Sequence, residues 1–445
     1  MAKKLDKSSM LKKKEFTEKL KEEKVIPVSV DPGFNGYKIG INDEKIYHIN
    51  SLALVEKNPE SRNEAEIVIS IEGAFGAKKD YVMGSLITKA ILRNNPSQEN
   101  EAIHKDFMRV DERFGSESFA ASYLGALYAA LYEYATMDGG NSLGFKVSDL
   151  TDLTKSGFRI VQCILLPDHL YKENSAAVKK LLTGNVKGTV SYKGHTFELT
   201  QSFSDEDIIT EIQARAPYDT AVYTSWGSYK DESSEMERKS KLPTLIIISG
   251  QRTLEQYLID DAERISKGNE NVPTVDFGME RVYSAVAEQI NNEFHLTGDN
   301  RRNERQVEEI VEKLSMSGGK PITGLKDIYI RYNEMPDWDG EKKGSVAADV
   351  FGKWQKEVRK QVAELIEYID KKFNLDTING VYVCGGTGAL YYDYIREGFA
   401  GYANLRYIDL IPGYCDGEDI GALYTVMYGG YCKLAAYINS MILEA

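Results

Sequence analysis

Two glycine-containing turns constrain the fold of this chain most strongly, because each directly follows an apolar run with the character of a buried strand. The first turn, Asp31–Lys38 (DPGFNGYK), follows Val25–Val30 and precedes Ile39-Gly40-Ile41, so the pattern predicts a β-hairpin. The second turn begins at Gly385-Gly386-Thr387 after the strand-like segment Ile378–Cys384, and a predicted helix begins near Ala389. Glycines at strand ends let backbone N–H groups approach an anion closely.

The charged residues of the first turn favour phosphate chemistry. Lys38, on the outgoing strand, can neutralise a phosphate as a point charge. Asp31, at the end of the incoming strand, can hold the water shell of Mg²⁺. Taken singly, the first turn is also compatible with a plain hairpin, and the second with a strand–helix connection that needs glycine for close packing. Some 350 residues apart, the two turns together predict a nucleotide cleft between two similar domains.

The rest of the chain alternates between strands and helices, which predicts an α/β fold with two sheet-centred domains. The predicted domains are residues 25–240 with 406–445 returning to them, and residues 241–405. Residues 315–347 contain turn signals and are expected to form loops and turns. The predicted strands are Phe158–Leu166, Leu242–Ser249 and a hairpin over Thr189–Phe203, and the predicted helices are Phe119–Tyr134, Met279–Phe294, Arg302–Leu314, Phe351–Phe373, Ile420–Tyr428 and Lys433–Leu443.

Length and charge exclude several classes of protein. A chain of 445 residues is too long for one core and suits two or three domains. With 55 Lys and Arg against 68 Asp and Glu, the net charge is −13, which disfavours direct nucleic-acid binding. No apolar run approaches the roughly 20 residues of a membrane span, so we expect no membrane partner. An apolar signal core is also missing at the N-terminus, which makes the cytoplasm the expected location.

Cysteine and histidine usage gives no sign of a disulfide framework or a metal site. The four cysteines form no CxxC pair and the five histidines are scattered, so a structural metal site is not expected. Cys163 and Cys384 lie in strand-like runs and are interpreted as buried thiols.

Residues 1–24 form a basic N-terminal extension, with nine Lys against five acidic residues. Leu11, Phe16 and Leu20 would leave a thin apolar stripe if the segment is helical. Two interpretations stay open. The extension is either a solvated, frayed tail or an electrostatic arm that docks on an acidic neighbouring subunit.

The two turns resemble motifs of one superfamily. The pattern Asp31-x-Gly33-x-x-x-x-Lys38 resembles the first phosphate motif of the actin, heat-shock chaperone and sugar kinase superfamily, and Gly385-Gly386-Thr387 resembles its adenosine motif. Strand Ile160–Leu166, the Lys-rich helix after it and the 189–203 hairpin are similar to ParM-type, plasmid-segregating actin-like proteins of bacteria. The resemblance implies a two-domain actin-like fold with ATP or GTP and Mg²⁺ in the cleft between two related sheet-centred domains.

The resemblance also implies roles for individual residues. Asp31 would organise Mg²⁺ through water, and Gln213 would orient the attacking water. Glu312 would contact the ribose. The β- and γ-phosphates would be held by Gly33, Phe34, Asn35, Gly36 and Lys38, and the nucleoside by Gly385, Gly386 and Thr387.

The second phosphate loop departs from the superfamily pattern. That loop normally begins with an Asp after a strand, and the matching segment, Ile248–Thr253, has isoleucine at this place, with Gly250 and Gln251 following. Asp276-Phe277-Gly278 is a weaker match, because a Pro interrupts the short run before it. The missing carboxylate puts the rate of hydrolysis in question, and Gln251 or Glu211 are conceivable substitutes.

Three functions remain after this comparison. The leading hypothesis is a filament-forming protein that segregates plasmid DNA, with slow ATP or GTP hydrolysis coupled to polymerisation. Its partners would be further copies of itself and a DNA-bound adaptor at the plasmid centromere, without direct nucleic-acid contact. The alternatives are a small-molecule kinase of the same superfamily, which needs a carboxylate base, and a nucleotide-binding scaffold with little hydrolysis.

Overall fold

A computed structural model shows two five-stranded mixed sheets with the same strand order. The chain divides into two compact units, which we call unit 1 (Met1–Glu235 with Pro412–Ala445) and unit 2 (Met236–Ile411). The structure describes residues 11–33, 36–49, 53–55, 65–73, 76–84, 113–167, 171–183, 187–199, 203–230, 241–250, 254–260, 264–266, 277–316, 327–337 and 340–444.

The strands and helices alternate along both units. In chain order, the described strands are β1 (Val25–Pro32), β2 (Tyr37–Ile41), β3 (Lys45–Ile49), β4 (Ala53–Val55), β5 (Ile67–Gly73), β6 (Gly76–Met83), β7 (Arg159–Leu166), β8 (Lys187–Tyr192), β9 (His195–Leu199), β10 (Ile208–Ile212), β11 (Thr244–Ser249), β12 (Leu254–Ile259), β13 (Ile265–Ser266), β14 (Asp327–Arg331), β15 (Ser345–Asp349), β16 (Gly380–Cys384), β17 (Tyr407–Leu410), β18 (Gly413–Cys415) and β19 (Glu418–Gly421). The described helices are α1 (Lys13–Glu22), α2 (Glu117–Ala135), α3 (Val147–Thr151), α4 (Leu153–Ser156), α5 (Tyr171–Leu182), α6 (Ala216–Val222), α7 (Met279–Glu293), α8 (Glu304–Met316), α9 (Val350–Phe373), α10 (Gly388–Phe399) and α11 (Thr425–Glu444).

The central sheets of the two units share one topology. Unit 1 has the order β10-β7-β1-β2-β3, and unit 2 has the order β13-β12-β11-β16-β17. Read from its other edge, the sheet of unit 2 matches that of unit 1 strand for strand, so that β11 corresponds to β1 and β12 to β2. In each unit the first three strands of the sheet form an antiparallel meander, a later strand pairs with the first in parallel, and the last strand pairs in parallel with that later one. The predicted α/β architecture with two related sheet-centred domains is confirmed.

The core of unit 1 lies between the central sheet and its helices. Helix α11 packs on β1 and β7, and the Ser29 hydroxyl donates to the Met427 carbonyl oxygen at 2.7 Å. Helix α2 is buried along most of its length and contacts both the central sheet and a second antiparallel sheet of order β4-β6-β5-β8-β9. The apolar and small residues of the predicted helix Phe119–Tyr134 therefore fill the space between two sheets.

Unit 2 buries its apolar residues between the second central sheet and helices α7, α9 and α10. Leu245 and Ile247 on β11, with Val381 and Val383 on β16, form the sheet side of this core. These strands are buried along nearly their whole length, which explains why each is a continuous apolar run in the sequence.

The C-terminal helix was predicted as two segments, but the structure has one continuous helix. Ile420 belongs to strand β19, and one continuous helix, α11, runs through Gly429 and Gly430. A Cβ atom on Gly429 would collide with the Ala216 carbonyl, and one on Gly430 would lie 2.7 Å from the Ser29 Oγ. The glycine pair lets the helix approach the sheet and α6 closely, so it serves packing and does not end the helix.

The N-terminal extension also differs from the frayed tail that the sequence left open. Phe16 and Leu20 on α1 are buried in the core of unit 1. The Lys13 ammonium lies 3.2 Å from the Asp416 carboxylate and 3.9 Å from that of Asp43, both in the same unit. The basic segment from residue 13 onward is therefore a docked helix.

A hairpin stands where the sequence predicted only loops and turns. Strands β14 and β15 pair in register, β15 extending two residues beyond the segment 315–347, and Ile330 on β14 and Ala348 on β15 are buried. The Gly, Pro and Asp residues that indicate turns in this segment gave no indication of the two short strands.

Candidate nucleotide site

The predicted turn after β1 is a hairpin that places a carboxylate and an ammonium group side by side. Asp31 on β1 lies directly opposite Lys38 on β2, and Lys38 Nζ is 2.8 Å from Asp31 Oδ2. The Asp31 side chain is 6% exposed and that of Lys38 is 14% exposed. Little water screens this pair, so its interaction is stronger than that of a surface ion pair.

Gln213 completes this arrangement from a different strand. Its backbone N–H donates to the Leu166 carbonyl at the end of β7, and its side-chain Nε2 donates to Asp31 Oδ1 at 2.8 Å. A carboxylate only accepts hydrogen bonds, so the contact identifies the amide end of the side chain. The Gln213 Oε1 atom is thereby directed away from Asp31, as an acceptor that a water molecule can use.

His48 lies beside these residues and was not singled out from the sequence. It is opposite Lys38 on β3, and its ring fills the space next to Gly36. His48 is exposed on this edge strand, and partial desolvation, followed by the nearby Lys38 charge, lowers the pKa of its ring. The signal that identifies it is the strand register, which the sequence does not give.

In unit 2, the ends of β11 and β16 are joined through Thr387. Its backbone N–H donates to the Ser249 carbonyl at 3.1 Å, and its hydroxyl lies 2.6 Å from the Ser249 hydroxyl. The Thr387 hydroxyl also donates to the Gly250 carbonyl at 3.1 Å. The side chain expected to face a nucleoside thus connects the two strand ends.

Gly385 is required at its place by the backbone. Its φ is +95°, in the region that favours glycine, and a Cβ atom there would collide with the Ser249 carbonyl. Gly386 next to it is exposed. The turn therefore presents an exposed glycine backbone at the start of helix α10, whose N-terminus carries the positive end of the helix dipole.

A second helix begins at the same end of the sheet. The first residue of α7, Met279, directs its backbone N–H at the Gly250 carbonyl, 3.5 Å away. Gln361, buried on α9, donates to the carbonyls of Phe277 and Gly278 and fixes the start of α7. The starts of α7 and α10 thus converge at the end of β11.

The predicted second phosphate loop follows β11, as proposed from the sequence. Ile248 is on β11, where it is half-buried, and Gly250 follows the strand directly. Phe277 and Gly278, from the weaker match, lie at the start of α7, and Asp276 lies outside the described residues.

Several predicted site residues are not described in full. Phe34, Asn35 and Gln251 lie outside the described residues, and Glu312 lies on α8 with its side chain outside them. Glu211 lies on β10, with its Oε2 atom 3.8 Å from the Lys433 ammonium. It is therefore engaged with a helix of unit 1.

Among the described residues, no group of three or more His, Cys, Asp or Glu could hold a metal ion. The donor set at Asp31, a single buried carboxylate at a strand end, suits an ion that keeps its own waters, which is the habit of Mg²⁺. It does not suit Zn²⁺, which takes three or four protein ligands.

Within the described parts of the chain, no helix is both long and apolar enough to cross a bilayer.

Comparison with solved structures identifies the fold. The actin-like protein Alp7A superposes with a TM-score of 0.61 at 14% identity, covering 94% of this chain and 98% of that chain. A ParM filament from Clostridium botulinum, described as 15-stranded, gives 0.54 at 14% identity over 91% and 98%. Bacillus thuringiensis ParM with ATP gives 0.51 at 13% identity over 92% and 97%. The chain has an actin-like fold of the ParM type.

Comparison of whole sequences, in contrast, gives no match. No protein-family model matches the chain, and no curated protein sequence matches it. At 12–15% identity, the similarity to these solved structures is a similarity of fold.

Proposed function

We propose that this chain is an actin-like protein that binds ATP or GTP with Mg²⁺ and assembles into filaments in response. The observation that carries the proposal is the Asp31 carboxylate, held at a strand end between the Lys38 ammonium and the Gln213 amide. A ParM filament and a ParM with ATP among the proteins of similar fold support both halves of the proposal.

Turns at the strand ends of each central sheet offer groups suited to a nucleotide in this proposal. Lys38 and the backbone of the first turn hold the β- and γ-phosphates, and Gly385 and Gly386 pack against the nucleoside. Gly250 and Gln251 form the second phosphate loop, with the starts of α7 and α10 adding favourable helix dipoles. Glu312 contacts the ribose.

Asp31 would hold Mg²⁺ through one of the ion's waters, and the ion would supply charge neutralisation at the phosphates. The chain's own contribution is positional. Because Asp31 accepts from both Lys38 and Gln213, its carboxylate has one fixed orientation before nucleotide arrives. Preorganised groups of this kind stabilise developing charge without reorganising during the reaction.

Gln213 positions the water that attacks the γ-phosphorus. With Nε2 committed to Asp31, Oε1 accepts a hydrogen bond from that water and directs its lone pair. The bond to the β-phosphate oxygen then breaks, and the water proton passes to phosphate or solvent. Such transfer depends on positioning and electrostatics more than on covalent chemistry.

A second candidate, a nucleotide-binding filament with little hydrolysis, is favoured by Ile248. This residue occupies the position where the superfamily pattern has an Asp, so the second loop begins without a carboxylate. In either form, we propose that the filament segregates plasmid DNA through a DNA-bound adaptor and does not bind DNA itself, in keeping with the −13 net charge.

Sedimentation and light scattering test the assembly proposal. At micromolar protein with Mg²⁺, ATP or GTP should yield pelletable filaments visible by electron microscopy, whereas nucleotide-free protein should stay in the supernatant. Absence of nucleotide-dependent assembly overturns the proposal. Phosphate release from the pelleted filaments then distinguishes the hydrolysing form from the scaffold, and a gel shift with bare DNA at physiological salt should be negative.

A further inference from the structure

The β1–β2 hairpin of unit 1 and the β11–β12 hairpin of unit 2 are equivalent in position and in length. Each joins the first two strands of a central sheet with the same order. In each hairpin four residues separate the two members of the closing pair, which is Pro32 with Tyr37 in the first and Ser249 with Leu254 in the second. Every position of one hairpin therefore has a defined counterpart in the other.

This equivalence assigns a counterpart to the Asp31–Lys38 pair. In both hairpins the pair one step before the closing pair is formed by directly opposed residues, Asp31 with Lys38 and Ile248 with Glu255. Ile248 thus takes the place of Asp31, and Glu255 takes the place of Lys38. Each pair retains one carboxylate, on the first strand in unit 1 and on the second strand in unit 2.

Glu255 reaches the region that a residue at 248 would reach. Directly opposed residues of an antiparallel pair point to the same face, with Cβ atoms about 5 Å apart. Glutamate is one methylene longer than aspartate, which offsets part of this displacement. Lys38, at the equivalent position of unit 1, does span the distance, because its ammonium contacts Asp31 at 2.8 Å.

The Glu255 carboxylate is also held at this face of the sheet. The Tyr257 hydroxyl donates to Glu255 Oε2 at 2.7 Å from two residues along the same strand. The side chain is half-buried, so the residue is restrained without being fully enclosed. A carboxylate restrained in this way suits contact with an ion through water.

We propose that Glu255 supplies the carboxylate that the second phosphate loop lacks at position 248, and that it holds a water of a Mg²⁺ bound with nucleotide at this loop. The inference rests on the proposed nucleotide function of this chain. It deepens that function by making Glu255 a metal-positioning residue, oriented by Tyr257. In this hairpin the acidic residue lies on the second strand, whereas in the hairpin of unit 1 it lies on the first.

Mn²⁺ binding in the presence of a non-hydrolysable ATP analogue tests this inference without relying on hydrolysis. Electron paramagnetic resonance measures free Mn²⁺ during titration of the protein–analogue mixture. Glu255→Gln should weaken Mn²⁺ binding about tenfold, as expected for an outer-shell carboxylate, while metal-free analogue binding stays within twofold. Tyr257→Phe should produce a smaller loss. Glu367→Gln, which removes an exposed carboxylate of α9 paired with Lys371, is the matched control and should change nothing.

A double variant that places the carboxylate at position 248 instead of 255 gives the decisive comparison of Mn²⁺ affinity. Ile248→Asp combined with Glu255→Gln should restore Mn²⁺ affinity to within about threefold of the parent chain. Unchanged Mn²⁺ affinity in Glu255→Gln, with the parent chain binding both analogue and metal, overturns the inference and leaves the proposed function intact. A parent chain that binds no analogue overturns the proposed function itself. Thermal unfolding of each variant verifies that it is folded, so a loss of binding in a folded Glu255→Gln is attributable to the site.

Discussion

Gln213 and Asp31 are 182 residues apart in the chain, and the Gln213 side chain donates to the Asp31 carboxylate at 2.8 Å. The contact exists because β10 and β1 both flank β7 in parallel, so their carboxyl ends meet at one edge of the sheet. This is the edge at which ligands bind in open α/β sheets. The residue proposed to orient water and the residue proposed to organise metal are thus joined by a hydrogen bond.

Replacing Gln213 should separate hydrolysis from binding. Gln213→Ala removes the group that positions water, so phosphate release from assembled protein should fall about 10- to 100-fold. Nucleotide affinity, set mainly by the phosphate and nucleoside contacts, should remain within about threefold. Stopped-flow phosphate detection and fluorescent-nucleotide titration measure the two quantities. An equal loss of affinity would mean that Gln213 binds nucleotide directly instead.

Replacing Lys38 should weaken nucleotide binding and stability together. Lys38→Ala leaves the buried Asp31 charge without its cation, which costs about 3 kcal/mol, and adds an uncompensated negative charge where phosphate binds. Nucleotide affinity should fall at least tenfold. Lys79→Ala, which breaks the more exposed pair with Glu117, is the control.

The double variant Asp31→Asn with Lys38→Met distinguishes the two effects of the lysine. With both charges removed, thermal stability should return toward that of the parent chain, because no buried charge is left unpaired. Nucleotide binding should stay weak. If the double variant binds nucleotide as well as the parent chain, the Asp31–Lys38 ion pair is not part of the nucleotide site.

The sequence allowed prediction of the elements whose signal is local. Strand β7 was predicted from a continuous apolar run, and the two glycine turns were predicted from residue type and position. Such features depend on burial and on backbone conformation at one place in the chain. These local signals correctly predicted the strand that precedes each candidate turn, β1 for the first and β16 for the second.

Features that depend on long-range pairing could not be predicted. The Gln213–Asp31 and Thr387–Ser249 hydrogen bonds arise from strand neighbours far apart in sequence. The single helix through Gly429 was also missed, because glycine lowers helix propensity and only the contact with Ala216 shows why it is needed. The sequence indicates which residue types are present at a strand end, whereas the order of strands in the sheet determines which distant residues they contact.

Gly385→Ala should disrupt the nucleoside turn. Alanine is strained at a φ of +95°, and its Cβ would collide with the Ser249 carbonyl, so the expected loss of stability is about 1–3 kcal/mol. Nucleotide affinity should fall with it. Gly401→Ala, where no atom lies within 4 Å of the added Cβ, should be tolerated. Equal unfolding midpoints for the two variants would contradict the assigned backbone conformation.

Leu20→Ala should destabilise unit 1, because α1 is part of its core. Leu20 is fully buried, and truncating a buried leucine to alanine costs about 2–5 kcal/mol. Lys14→Ala, on the exposed face of the same helix, should leave the free energy of unfolding within about 0.5 kcal/mol of the parent chain. If Leu20→Ala alters only the salt dependence of assembly and leaves unfolding unchanged, the helix is an intersubunit arm after all.

Asp43 should make unit 1 less stable as pH rises. Burial raises the pKa of Asp43 to about 6, an effect that the Ser225 hydrogen bond and the Lys13 charge only partly oppose. The folded chain therefore retains the proton more tightly than the unfolded chain, whose carboxyl titrates near pH 4. The stabilisation is complete below about pH 4 and is lost as pH rises through about 6.

Comparison of Asp43→Asn with the parent chain isolates this effect. The variant cannot titrate at this position, so its free energy of unfolding relative to the parent should increase by up to about 3 kcal/mol between pH 4 and pH 7. Urea unfolding at one-unit pH steps measures this difference, in which other titrating groups cancel. Asp416→Asn removes the exposed carboxylate that shares Lys13 and controls for loss of that ion pair. A difference between Asp43→Asn and the parent that is constant with pH would show that Asp43 titrates alike in both states, and would contradict its assignment as a buried, protonatable group.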